Sequence, residues 1–181
     1  MTEAASMKAG DPVRIVPYDA AWPHLFARQG GDLRAALLKA AARILEKDGP
    51  DAISLRDLAR GAGVSHNAPY RHFPDRDSLL TALSDDGYAH LVDALRGKPW
   101  REQAASYVRF ALANPQRFRL MSMRPGDLRQ VIDVANPPAR ATWALVHGLA
   151  QLILAGQFAD ADPEALVQET LAAVRFAQRS A

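Results

Sequence analysis

The twenty residues from Ser54 to Phe73, Ser-Leu-Arg-Asp-Leu-Ala-Arg-Gly-Ala-Gly-Val-Ser-His-Asn-Ala-Pro-Tyr-Arg-His-Phe, constrain the fold more than any other stretch. Ser54 is placed to cap a helix, and Asp57, three residues on, can return a bond to the Ser54 amide as a variant capping box. Leu55, Leu58 and Ala59 give that helix one apolar face. Gly61-Ala62-Gly63 ends it, because glycine takes the positive φ that a helix C-terminus needs. Val64 turns toward the core, and Ser65 caps a second helix running to about His72. Two short helices about a glycine turn make a helix-turn-helix, whose second helix enters a DNA major groove N-terminal end first.

The remaining chain is compatible with a small head of this kind joined to a larger body. Its 181 residues can bury a real core, and 49% hydrophobic with 23% charged residues is ordinary globular composition. Net charge is only +2, so general nucleic-acid affinity is not written into the whole chain. The basic excess is local: Arg56, Arg60 and Arg71 face only Asp57 within the motif. There are no cysteines, hence no disulfide framework and no thiolate site. The N-terminus lacks an apolar leader, and no span reaches the ~18–20 apolar residues of a membrane helix. A cytoplasmic protein with no membrane partner is expected.

Residues 1–30 carry Pro12, Pro17 and Pro23, which rule out a long helix, and are read as an arm closed by Gly30-Gly31. The first clear helix spans Asp32 to Lys47, with Leu33, Leu37, Ala40, Ala41, Ile44 and Leu45 as one stripe. After the motif and Pro74, a helix capped by Asp75 runs to about Arg96, burying Leu79, Leu80, Leu83 and Leu91. Gly97-Lys98-Pro99 reads as the boundary between a head, 31–96, and a body, 97–181. Body helices are expected near 100–113, 115–123, 126–135, 138–157 and 162–179, separated by proline and asparagine clusters. No alternating β-branched run argues for a sheet, so the class is all-α.

Val64-Ser65 opening the second helix, Tyr70-Arg71-His72-Phe73 closing it, Asp75-Arg76-Asp77-Ser78-Leu79-Leu80 after it, and Gly31-Asp32-Leu33-Arg34 before the first helix together resemble the tetracycline-repressor (TetR) family of transcriptional regulators. The resemblance implies a three-helix DNA-binding head and a helical body for ligand binding and dimerisation. It also implies a homodimer on a palindromic double-stranded DNA operator, most often a repressor, released by a small-molecule effector. On that pattern Ser54 and Arg56 meet phosphates, and Ser65, His66 and Asn67 form the exposed nose of the recognition helix. Histidine and asparagine suit base edges, asparagine pairing with adenine in bidentate fashion. Tyr70 and His72 lie near the DNA backbone, and Arg76 adds a charge at the next helix start; such contacts fix register without reading sequence. Tyr70 as a core residue and His72 as a surface polar group stay open as structural alternatives. Pro69 lies four residues after Ser65, where its missing N–H costs a helical bond. It should shorten or tilt the recognition helix and offer a rigid apolar surface, for instance to a thymine methyl.

In the body, Trp143-Ala144-Leu145-Val146-His147-Gly148 resembles the Trp-x-x-x-His-Gly (WHG) signature of one TetR C-terminal domain type. Trp143 and His147 share a helix face and can line a pocket, with Phe110, Phe118, Met121 and Met123 as co-liners; core or dimer seam is the structural alternative. Gly148 would admit a neighbouring helix. Trp143, Val146, Ala150, Ile153 and Leu154, with Leu166, Thr170, Ala173, Val174 and Ala177, are read as the dimer stripes of the last two helices. Separately, Val13 to Pro23 is similar to the opening of the GrpB-like proteins, a nucleotidyltransferase-type family, over about a dozen residues; no transferase activity is inferred.

No nucleophile–base pair, HExxH, P-loop or GxGxxG string is present, so neither an enzyme nor a cofactor or metal is expected. His72 near Asp75 and Asp77 could imitate a metal site, but capping explains Asp75. The other alternative, a helical protein–protein adaptor without DNA binding, would have to explain a nose of Ser-His-Asn in place of an apolar anchor.

Overall fold

The computed structural model describes residues 33–124, 131 and 135–173. The N-terminal arm, all but 131 and 135 of the helix expected near 126–135, and Val174 and Ala177 lie outside the described residues. Among the described residues all regular structure is helical: α1 (Leu33–Asp48), α2 (Leu55–Gly61), α3 (Arg76–Leu95), α4 (Trp100–Ala113), α5 (Pro115–Met123), α6 (Pro137–Leu154) and α7 (Pro163–Ala173), with 3₁₀ turns at Pro50–Ala52 and Pro69–Arg71.

Local chemistry sets the element ends. Ser54 Oγ accepts the Asp57 N–H at 3.3 Å and starts α2. The Asp57 carboxylate pairs with Arg60 at 3.1 Å, so it serves an i,i+3 ion pair. A reciprocal box does form at α3: Asp75 Oδ1 accepts from Ser78 N at 2.7 Å, and Ser78 Oγ accepts from Asp75 N at 3.3 Å. α2 ends in a Schellman pattern: Val64 N–H reaches Ala59 O at 3.1 Å and Gly63 N–H reaches Arg60 O at 3.2 Å, with Gly63 at φ 67°. α6 stops at Leu154, short of the expected 157, for the same reason: Gly156 takes φ 75° and Gln157 N–H closes on Leu152 O at 3.0 Å.

The segment expected as a recognition helix, Ser65 to His72, is a turn followed by 3₁₀ helix, not a regular α-helix. Pro69 has no N–H to give Ser65 O, so that carbonyl accepts from Ala68 at 2.9 Å, one residue earlier. His72 N–H then bonds Pro69 O at 3.0 Å in the same tight register.

Two apolar cores follow. Leu37, Ala41 and Leu45 of α1, Leu55 and Leu58 of α2, Phe73, and Leu79, Leu80 and Leu83 of α3 bury together as the head core. Tyr88, Leu91 and Leu95 of α3 pack with Tyr107, Val108 and Ala111 of α4, Phe118 and Met121 of α5, Val146, Leu149 and Ala150 of α6, and Val167 and Leu171 of α7. α5 belongs to both, because its Leu120 lies in the head core. The line expected at Gly97 is therefore crossed by α5, which packs on α1 and α3 as well as α4. Val146 and Ala150 sit in the body core, with Trp143, Ile153 and Leu154 packed against it, so the stripe read as a dimer seam faces its own subunit. On α7 the buried residues are Val167 and Leu171, while Leu166 and Thr170 are half-buried and Ala173 is exposed.

α3 and α5 approach most closely at Gly87. A Cβ there would lie 2.7 Å from Met121 Sδ and 3.2 Å from Arg117 Cγ. Gly87→Val should therefore lower folding stability by about 1–3 kcal/mol through overpacking, with Gly87→Ala milder because the Met121 chain can swing, as read by urea denaturation midpoints.

Candidate functional site

The head presents one polar surface. Ser65, His66 and Asn67 are exposed, carried forward by the Schellman turn at Gly63. Tyr70 is 44% exposed whereas Phe73 is buried at 2%, so Phe73 fills the core position and Tyr70 stands outward. Arg56 is exposed at the start of α2, beside the half-buried Ser54 cap, and His72 is half-buried. Two expected DNA-facing residues are placed differently. Pro69 is buried, because the 3₁₀ turn rotates its ring onto the head, so it offers no apolar surface outward. Arg76 points back to the loop between α1 and α2, its guanidinium donating to Pro50 O at 2.6 Å and Ile53 O at 3.2 Å and meeting Asp51 at 3.3 Å. It braces the head. Among the described residues no cluster of His, Asp and Glu is arranged as for a metal ion.

The body holds a small cavity of about 80 Å³, lined by Tyr88, Leu91, Tyr107, Phe118, Met121, Ser122, Val131, Trp143 and His147. Trp143 and His147, one turn apart on α6, stack with centroids 4.9 Å apart at 20°. Phe118 lies against His147 at 5.4 Å and edge-on to Tyr107 at 5.7 Å. Tyr107 Oη is 2.8 Å from His147 Nδ1. Burial holds His147 below its ordinary pKa of 6.5. Burial pushes the Tyr107 phenol up, reinforced by Tyr88 and opposed by a hydrogen bond from Trp143. A protonated phenol beside a neutral imidazole donates to Nδ1, which leaves the imidazole proton on Nε2.

The sequence profile of the bacterial regulatory proteins of the tetR family matches residues 37–83, the head. An HTH-type transcriptional regulator of Mycobacterium bovis, Mb3439c, is 39% identical over 134 residues, covering 66% of this chain and 69% of that protein. The chain belongs to the tetR family of bacterial regulatory proteins. The chain is also similar to the HTH-type transcriptional regulator EthR of Mycolicibacterium smegmatis, 37% identical over 83 residues, 41% of this chain; it spans 38% of that relative's length. The fold reaches further: the structure of a protein of unknown function from Rhodococcus sp. RHA1 superposes with TM-score 0.66 at 34% identity, covering 79% of this chain and 93% of that one.

Within this TetR-family body, four of the six expected liners reach the cavity: Phe118, Met121, Trp143 and His147. Phe110 packs on the rim of the body core and Met123 is 69% exposed, both turned from the cavity by the α4 and α5 helical phase. Sequence reasoning missed Tyr88, Leu91, Tyr107, Ser122 and Val131; Tyr107 carries the phenol that orients His147, yet lies forty residues away.

With His147 held below 6.5, the folded protein binds fewer protons than the unfolded chain just below that pH. The stability His147 supports is full above about 6.5 and is lost as pH falls through that value. Wild type should therefore lose more stability than His147→Phe between about pH 7.5 and about pH 5.5, measured as the shift in urea midpoint for each.

Proposed function

We propose that this TetR-family chain is a sequence-specific DNA-binding transcriptional regulator, acting as a homodimeric repressor on a palindromic operator and released by a small molecule bound in the body. The observation that carries the reading is the polar nose of Ser65, His66 and Asn67, exposed beside Tyr70 and Arg56. Base edges demand such donors and acceptors, and Arg56 and Tyr70 would hold the flanking phosphates. Arg76 would support this surface by fixing the α1–α2 loop.

The dimer seam we assign to the outward face of α6. Ala141, Ala144, Gly148, Leu152 and Ala155 share that face; Leu152 is 47% exposed, and a Cβ at Gly148 would meet nothing within 4 Å. Small residues there would let the same helix of a second copy approach closely across a two-fold axis. Two heads so joined would address major grooves about 34–36 Å apart. The Trp143–His147 stack and the open side of Gly148 support a body of the WHG type.

The body would control the head through population shift: a ligand favouring one spacing of the heads lowers affinity for an operator that needs another. α5 is suited to link them, since Phe118 and Met121 line the cavity while Leu120 lies in the head core.

Selection of bound sequences from a random double-stranded DNA library tests the reading. An inverted repeat should emerge; weak, salt-sensitive binding without selection would overturn it and favour a helical adaptor. On the selected operator, Arg56→Ala and Tyr70→Ala should weaken binding to all sequences by roughly tenfold, whereas His66→Ala and Asn67→Ala should relax base preference, as read by gel-shift titrations on operator variants. Leu152→Asp should convert the dimer to monomer in sedimentation runs at micromolar concentration and abolish the inverted-repeat preference.

A further inference from the structure

The cavity wall is chemically selective. Among the described residues that line it there is no carboxylate, ammonium or guanidinium: five aromatic side chains and three aliphatic or thioether ones surround a single serine hydroxyl. An ionised ligand group would find no counter-charge there, and burying an unpaired charge is heavily unfavourable.

The polar atoms on the wall are mostly committed to one another. Tyr107 donates to His147 Nδ1 at 2.8 Å. Tyr88 O–H is directed to Met121 O at 3.5 Å. Ser122 donates to Phe118 O at 3.0 Å and accepts from Gln151 Nε2 at 3.0 Å. Among the described residues His147 Nε2 has no hydrogen-bond partner, and in this tautomer it carries the proton, on a ring that Trp143 and Phe118 hold in place. A neutral imidazole fixed in this tautomer recognises an acceptor, not a second donor.

Size narrows the choice further. About 80 Å³ is below the ~150 Å³ of an apolar cavity that takes benzene, so a ring-sized guest either extends through the open side or requires a wall to yield. Met121 is the wall residue able to do so, being unbranched and able to rotate about three bonds.

We propose that the body cavity binds a small neutral molecule, no larger than about one six-membered ring with a short substituent, through one carbonyl oxygen accepting from His147 Nε2–H. The proposal deepens the effector-site reading above and rests on it for its regulatory consequence alone.

Four probes of one frame test it: cyclohexanone, methylcyclohexane, cyclohexanecarboxylate and cyclohexylammonium. Each is titrated into the 181-residue chain at about pH 7.5 while the Trp143 indole N–H is followed by two-dimensional NMR. Cyclohexanone should bind roughly tenfold more tightly than methylcyclohexane, the ratio set by one hydrogen bond, and at least about a hundredfold more tightly than either ion. His147→Phe should erase the ketone's advantage over the hydrocarbon, while His147→Gln, which keeps an N–H donor, should retain part of it. Carboxylate or ammonium binding as tightly as the ketone would overturn the proposal, as would an unmoved Trp143 signal at millimolar ketone. Ketone binding with the expected order but unchanged operator affinity would uphold the ligand class and refute effector release.

Discussion

The contact on which this architecture depends is the crossing of α3 and α5 at Gly87. With no side chain there, Met121 and Arg117 lie directly on the α3 backbone. That closeness lets Arg117, only 12% exposed, reach Asp86 of α3 at 3.0 Å while its own backbone N–H bonds Glu46 of α1 at 3.2 Å. Glu46 is itself raised in pKa, because burial outweighs the guanidinium beside it. Buried ion pairs of this sort add little net stability over apolar packing, yet breaking one partner costs about 3–5 kcal/mol. The cluster is better understood as fixing one register of α1, α3 and α5 than as a source of stability.

A second anchor secures the far end of α5. Ser84, fully buried on α3, donates to Arg124 O at 2.7 Å, and the Arg124 side chain pairs with Asp77 in the first turn of α3. The Asp77 carboxyl is held below its ordinary range by that pairing. α5 is thus attached to α3 at both ends, beside the head at Arg124 and beside α1 at Arg117. The glycine-proline stretch at 97–99 lies between α3 and α4, and α5 beyond it reaches the head core through Leu120.

Much of this was legible in the chain, because local rules governed it. The cap at Ser54, the Asp75 start of α3 and the glycine turn between α2 and the nose all depend on neighbours within a few residues. The shortened recognition segment follows from Pro69 alone. What was not legible depended on choosing between two apolar faces. α6 carries Val146, Leu149 and Ala150 on one side and Ala141, Ala144, Gly148 and Leu152 on another, so periodicity finds a helix without saying which side meets α4. The cavity divides the same way: Trp143 and His147 were found by being four apart, whereas Tyr88 and Tyr107 look like any core aromatics until the fold sets them against the imidazole. For Arg76 the sequence gives the charge but not the Pro50 and Ile53 carbonyls that receive it.

The small volume of the cavity has a mechanical consequence for the proposed control of DNA binding. A guest larger than about 80 Å³ that seats fully within the pocket displaces wall atoms, and the walls differ in what stands behind them. Tyr107, Trp143 and His147 are backed by the α4–α6 core and tied together by hydrogen bonding and stacking, so they resist. Met121 is backed by Gly87, the point where α3 and α5 have no spare room. Expansion beyond what rotation of the Met121 side chain takes up would have to slide one helix over the other. Sliding α5 carries Leu120 within the head core and strains the Arg117 bonds to Glu46 and Asp86. Packed interiors respond to such displacement by switching between discrete arrangements more readily than by deforming smoothly. A guest of a few heavy atoms would therefore act on the head through position, and its leverage would be set by how firmly α5 is held to α1.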